Sequence, residues 1–391
     1  MPGRVDGMIS KRLQGVPPSG TVKISNLVSQ MVAEGKDIVS FSMGEPDFTT
    51  PDNIIKACVD SLEGGFTHYT PSAGIPELRK AIAQVASRDN GIPCKPSNVL
   101  VTPTKQAIFL IALGYLDPGD EVLLPDPAWV SYEAVVRLAG ATPVYVNTTS
   151  EDRFVIDPDR VSEAITHKTK MMIVNSPSNP TGCVQPRESL AAISEICADR
   201  GIRVLSDEIY EHIVYSGKHY SMAAFPDAFE NTLTVSGLSK TYAMTGWRLG
   251  WVIAPEDDVK AINRLQTHSI TCCTSFTQPA AVEALLGPQD ARKSMVGEFR
   301  KRRDLAMDLI SEIPGLECSL PDGAFYLFPK YDAKISSTEL AEILLQKGCV
   351  AVTPGRAFGP AGEGHFRLSY ATSEDRIIEG MGRIKRTLAD L

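Results

Sequence analysis

The strongest constraint on this chain is an apolar pattern that switches repeatedly between a helical and an extended period over residues 76–254. Residues 76–90 place Leu78, Ile82 and Val85 on one helical face and run into Gly91, a stop signal. An extended run at 99–102 follows. Residues 105–116 come next, apolar nearly all round and so expected to form a buried helix, ended by the turn at Asp117, Pro118 and Gly119. Further extended runs fall at 121–124, 171–174, 203–206, 232–236 and 249–254, and among them lies a helix opened by Pro186 and closed by Gly201. Strands separated by helices predict an α/β fold with a mostly parallel central sheet covered on both faces. Ligands of such sheets bind outside the carboxyl ends of the strands, so the polar residues just after each strand are where chemistry is expected.

Beyond about residue 285 the texture changes. A long helix with the basic run Arg300, Lys301, Arg302, Arg303 leads to 323–329 and then to a short αβ tail. The basic run reads as a solvated helix face. The division expected is a segment 1–48 packed on a small domain, a large ligand-binding domain 49–285 and a small carboxy-terminal α/β domain 286–391.

Composition narrows the function classes. Lys+Arg 39 against Asp+Glu 47 gives a net charge of -8, which argues against a nucleic-acid or anionic-membrane surface while leaving room for a local anion pocket. No apolar run is long enough to span a bilayer, and the first fifteen residues lack the apolar core of a signal peptide, so a cytoplasmic location is expected. The 8 cysteines are scattered without a CxxC pair and the 6 histidines show no ligand spacing, so neither a disulfide framework nor a metal site is expected. No GxGxxG follows a strand, which removes a dinucleotide enzyme.

Four strand ends carry unusual polar groups: Asn175 to Gly182, Asp207 to Tyr210, Ser236 to Lys240 with Arg248 close behind, and Thr102 to Lys105. Taken singly, each has an ordinary explanation as a turn, a cap or a surface cation. Jointly they suit a phosphorylated aromatic aldehyde. Thr104 and Lys105 offer amides at a helix N-terminus and Arg248 a permanent charge for phosphate. Lys240 offers an amine for the aldehyde, and Asp207 a carboxylate for a ring nitrogen. Tyr210 and Asn179 can donate to a phenolic oxygen, and Trp129 can stack on the ring.

Along the chain stand Gly44-Glu-Pro-Asp-Phe48, Tyr69-Thr-Pro-Ser-Ala-Gly74 with Glu77-Leu-Arg79, Trp129-Val-Ser-Tyr132 and Ser178-Asn-Pro-Thr-Gly182. They are followed by Asp207-Glu-Ile-Tyr210, Ser239-Lys240, Met244-Thr-Gly-Trp-Arg248, Gly323-Ala-Phe-Tyr326 and Arg367-Leu-Ser-Tyr370. In this order the set resembles the class I/II pyridoxal-phosphate-dependent aminotransferases of fold type I, over nearly the whole chain. The resemblance implies pyridoxal 5'-phosphate as cofactor, held covalently by Lys240, whose amine then moves the substrate proton. It implies that Asp207 keeps the ring nitrogen protonated, and that Tyr210 and Asn179 hold the phenolic oxygen. It also implies that Arg248, helped by Ser239, binds the phosphate, and that Tyr69 reaches the phosphate of a neighbouring subunit in a homodimer. Arg367, with Gly44 and Asn179, would clamp the substrate α-carboxylate. One departure stands out: Pro103-Thr104 replaces the two small residues usual before the phosphate-binding helix, and proline has no N–H to offer.

Within the family, the chain most resembles the aspartate-type subgroup, in which a lysine at the position of Lys105 meets the distal carboxylate and a threonine matching Thr21 assists. A cation at a helix N-terminus is unfavourable by roughly 0.3–1 kcal/mol, which suggests retention for a ligand. The expected reaction is amino transfer between L-aspartate and 2-oxoglutarate by a ping-pong cycle. Transfer from aromatic amino acids, alanine or prephenate, or a carbon–sulfur lyase activity, are the alternatives.

Overall fold

The computed structural model describes residues 10–14, 16 and 20–391, without the side chains of 11, 14 and 20–25. Its centre is a seven-stranded sheet of β1 (Val99–Val101), β2 (Glu121–Asp126), β3 (Thr142–Asn147), β4 (Thr169–Asn175), β5 (Arg203–Asp207), β6 (Thr232–Gly237) and β7 (Gly250–Ile253), in the spatial order β1-β7-β6-β5-β4-β2-β3. Neighbours are parallel except that β7 runs antiparallel to both β1 and β6. The reversal has a consequence for the site. Since only β7 is inverted, its amino end lies on the same edge as the carboxyl ends of the other six strands, and Arg248, just before Gly250, is delivered there.

Alternation along each strand divides its side chains between two helical layers. Val122, Leu124, Met171, Ile173 and Leu205 face the helices Thr104–Tyr115, Val130–Leu138 and Glu256–Thr267. Leu123, Met172, Val174 and Val204 face Leu190, Ile193 and Cys197 of the helix Arg187–Asp199. Both faces are therefore buried, as a mostly parallel sheet requires. The helix Pro76–Asn90 ends at Gly91 in the left-handed conformation (φ 71°), a position that favours glycine. The edge strand β3 escaped the sequence reading. Its ends, Thr142 and Asn147, are exposed and its burial is irregular, so no clean period marks it.

The segment before the sheet and the chain after it pack together. Val39–Ser40 pairs in parallel with Val350–Ala351, and Phe366–Ser369 pairs with both Tyr326–Leu327 and Thr353–Pro354. Met31, Val39 and Phe41 share one core with Phe299, Leu344, Phe366 and Met381. The basic run on the long helix Asp290–Ser311 corrects an expectation in part, because only half of it is a solvated face. Successive helix positions are about 100° apart, so four adjacent cations wrap round the axis. Arg300 and Lys301 are exposed, whereas Arg302 and Arg303 are only 7% and 6% exposed. Arg302 donates from Nη1 to both carboxylate oxygens of Asp47, at 2.8 and 2.9 Å, and lies over the Phe48 ring, while Arg303 donates to the Pro321 carbonyl at 3.0 Å.

Candidate active site

The strand ends open into one cleft. Its lining includes Gly44, Thr104, Lys105, Trp129, Asn179, Asp207, Tyr210, Ser239, Lys240, Arg248 and Arg367, together with Tyr132 and Tyr326. Eleven of the thirteen residues singled out in the sequence are thus brought together. The other two are Tyr69, which is 87% exposed and does not line the cleft, and Thr21, whose side chain lies outside the described residues.

Lys240 sits in a single turn of helix, Leu238–Thr241, that follows β6 directly. Its Nζ donates to the Gly44 carbonyl at 2.5 Å. Burial, opposed by Glu45 and reinforced by Arg367 and Arg248, lowers the ammonium to about 8, so a useful share is the neutral nucleophile near neutral pH. A carbon added at Gly44 would stand 2.9 Å from the Tyr326 hydroxyl, which explains the glycine there.

Asp207 ends β5 and is 3% exposed. Burial pushes its carboxyl up to about 6, against the Tyr132 hydroxyl at 2.7 Å and the Ile209 N–H at 3.2 Å. Among the described residues no cation forms an ion pair with it, so it is a buried acid that a protonated ring nitrogen would suit.

Arg367, on Phe366–Ser369, is the clearest anion receptor. It is 6% exposed, donates to Asn179 Oδ1 at 2.9 Å and to the Ser42 carbonyl at 2.7 Å, and its Nε has no partner among the described residues. Its guanidinium lies 4.6 Å from the Tyr326 ring centroid and 5.1 Å from that of Phe358. Among the described residues no carboxylate pairs with it. Its contact holds Asn179 in place, while the Tyr210 hydroxyl bonds the Tyr326 hydroxyl at 2.8 Å.

Pro103 caps the helix Thr104–Tyr115, so the first-turn amides of Thr104, Lys105 and Gln106 have no acceptor within the helix. The Thr104 hydroxyl turns away to donate to the Ser236 carbonyl at 2.9 Å, and glycines at 237 and 250 make the room, since a side-chain carbon at either would strike it. Proline at the cap therefore withholds one amide, and the helix start still offers the next three. Arg248, exposed and in the left-handed conformation (φ 57°), donates only to the Thr245 carbonyl and forms no ion pair among the described residues. Free amides beside a guanidinium without an acid partner among the described residues could hold a phosphate. Lys105 places its Nζ 4.8 Å above the Trp129 ring. The side chain as a whole is exposed, yet partial burial of its tip and then Arg248 hold the ammonium below the usual lysine range.

Chemically, the cleft offers a buried low-pKa amine, a buried acid, helix-start amides near a guanidinium that could hold a phosphate, and a buried arginine that could hold a carboxylate. Comparisons with known proteins agree. The model of the family "Aminotransferase class I and II" matches residues 36–384. The chain belongs to that family. This aminotransferase is 44% identical over 392 residues to the probable aspartate/prephenate aminotransferase of Aquifex aeolicus, covering 98% of this chain and 99% of that one. It is 42% identical to the aspartate aminotransferase of Bacillus subtilis, over 97% of this chain and 98% of the relative. The solved structure of Thermus thermophilus aspartate aminotransferase with maleate superimposes with a TM-score of 0.92 at 41% identity, covering 99% of this chain and 100% of that chain. No helix among the described residues of this aminotransferase is long and apolar enough to cross a membrane.

Proposed function

We propose that this aminotransferase uses pyridoxal 5'-phosphate to exchange the amino group between L-aspartate and 2-oxoglutarate, giving oxaloacetate and L-glutamate in a ping-pong cycle. The observation that carries this reading is Arg367, a buried guanidinium with no carboxylate partner among the described residues, in the same cleft as the buried amine of Lys240. A buried cation left without an acid is costly, so an anionic ligand is the natural complement.

The residues present fit the cofactor. The Thr104–Gln106 amides and Arg248, with Ser239 beside them, suit its phosphate. Lys240 suits its aldehyde, Asp207 its ring nitrogen, Tyr210 and the free Nδ2 of Asn179 its phenolic oxygen, and Trp129 its ring face. When bound, this group withdraws electrons from the substrate α-carbon and so acidifies its proton.

The rest is done by the chain. Arg367 takes the α-carboxylate in a planar two-point contact and fixes the orientation of the α-carbon. Lys240, whose amine would hold the aldehyde, would also carry the α-proton to and fro, and its depressed pKa matches that task. Asp207 keeps its negative charge against the ring nitrogen. Lys105 meets the distal carboxylate, assisted by Thr21. Held over Trp129 by a cation–π contact, its flexible stem can move aside for an uncharged side chain. Maleate in the Thermus structure is a dicarboxylate, which supports the aspartate assignment. We further propose a homodimer in which the exposed Tyr69 completes the neighbouring phosphate site.

A donor screen with 2-oxoglutarate as acceptor tests the reading. Aspartate should exceed alanine, phenylalanine and cysteine in kcat/KM. Prephenate as an acceptor is a second reading, favoured by the names of the Aquifex relative and of a Thermus relative 42% identical to this chain. No amino transfer from any donor would refute the proposal.

A further inference from the structure

We propose that Tyr132 is a positioning residue for Asp207: its buried hydroxyl fixes the carboxylate plane and holds the charge there, so that the acid meets the cofactor ring nitrogen already oriented. This rests on the cofactor role given to Asp207 above. Tyr132 lies in the first turn of the helix Val130–Leu138 and is 2% exposed, and its hydroxyl donates to Asp207 Oδ2 at 2.7 Å. Among the described residues the other oxygen, Oδ1, accepts only the Ile209 N–H, so one lone pair on each oxygen is left without a donor from them.

Three features make this contact more than packing. Tyr132 is the one side-chain donor to Asp207 among the described residues, the second donor being backbone. Burial and the adjacent carboxylate raise the phenol well above its ordinary range, so the proton stays on the tyrosine and the oxygen donates at every working pH. The ring is also fixed from behind. Trp129 caps the same helix, its ring meets that of Tyr132 edge-on at 5.3 Å and 83°, and its carbonyl accepts the Tyr132 N–H at 3.0 Å. A rigid donor lowers the reorganisation needed when a charged ring arrives.

Tyr132→Phe removes one oxygen and keeps the packing, and Asp207→Asn removes the charge on which that oxygen acts. Pyridoxal phosphate binding to the four apoproteins (wild type, Y132F, D207N and the double variant) is measured by fluorescence titration, and their thermal midpoints are followed from pH 4.5 to 8. A hydrogen bond to a charged group predicts that Y132F weakens binding about tenfold when Asp207 is intact and less than about twofold in the D207N background. The Y132F apoprotein should melt below wild type above pH 6, where Asp207 is ionised in the wild type. The gap should close as pH falls through about 6, where Asp207 takes up its proton, and should show no such pH dependence in the D207N background. Equal weakening in both backgrounds, with a gap independent of pH, would overturn the proposal and leave Tyr132 a packing residue. If D207N binds pyridoxal phosphate as tightly as wild type, the cofactor role of Asp207 is what has failed; a surviving pH-dependent melting gap then identifies that as the cause.

Discussion

Replacing Arg367 with lysine keeps one positive charge in the cleft and removes the planar fork. In the structure Nη1 and Nη2 are already engaged with Asn179 Oδ1 and the Ser42 carbonyl, so the guanidinium is held in one plane before substrate arrives. A lysine ammonium can keep one charge-assisted contact to an α-carboxylate and loses the second, at about 1.5–3 kcal/mol. That loss corresponds to about a 10- to 150-fold fall in kcat/KM. Since every amino acid presents the same α-carboxylate, the fall should be equal for aspartate and alanine. Leucine at 367 loses both contacts and the charge, and should lower kcat/KM for both by more than about a thousandfold. Steady-state half-reactions with the two donors, followed by the cofactor absorbance, provide the measurement. If R367K affects aspartate alone, or neither substrate by more than about threefold, Arg367 is not the α-carboxylate receptor and the orientation argued for the α-carbon loses its support.

Lys105→Leu should raise KM for aspartate about tenfold or more while leaving alanine nearly unchanged, as removal of one charge contact predicts; equal effects would remove Lys105 from selectivity. Gly44→Ala should lower the thermal midpoint of the apoprotein, because the new carbon meets the buried Tyr326 hydroxyl at 2.9 Å and overpacking costs about 1–3 kcal/mol; an unchanged midpoint would show that Tyr326 yields freely. For Lys240 the folded pKa of about 8 lies below the unfolded value, so the unfolded apoprotein binds more protons between about pH 8 and 10.5. Stability carried by this group must therefore rise with pH across that window, and Lys240→Met should abolish the rise; a variant with the wild-type pH profile of melting would contradict the assignment.

Much of the site was legible because its chemistry follows strands that the apolar period marks. Lys240 after β6, Asp207 at the end of β5 and Asn179 after β4 need only the rule that ligands gather at carboxyl ends. Arg248 was grouped with the strand end at Lys240 by nearness in sequence; what delivers it to the cleft is the reversed β7, and strand direction leaves no trace in the apolar pattern. Tyr132 and Tyr326 were passed over because a buried tyrosine in a motif reads as core. The spacing of Tyr132 three residues after Trp129, in the first turn of the helix that Trp129 caps, was the available signal. Half of the basic run was misread for the converse reason. Charge alone suggested solvent, whereas Asp47 and the Pro321 carbonyl, both distant in sequence, supply partners that no local pattern reveals.

Lys105, Lys240, Arg248 and Arg367 all face the cleft, and none forms an ion pair among the described residues. The chain as a whole carries a net charge of -8 and has acids to spare, and elsewhere it uses them, as the pairing of Arg302 with Asp47 and of Arg383 with Asp37 shows. Pairing is thus withheld where the strand ends converge. Like charges gathered in a partly buried cleft repel one another and lower each other's proton affinity, which adds to burial in holding Lys240 and Lys105 below the ordinary lysine range. The same repulsion is relieved when a phosphate and one or two carboxylates enter. Apoprotein stability should therefore rise on adding inorganic phosphate together with maleate. That gain should shrink in the Arg248→Ala and Arg367→Leu variants, each losing the part due to its own anion. A gain of equal size in both variants and wild type would mean that the anions bind elsewhere, and that the four cations are not a receptor.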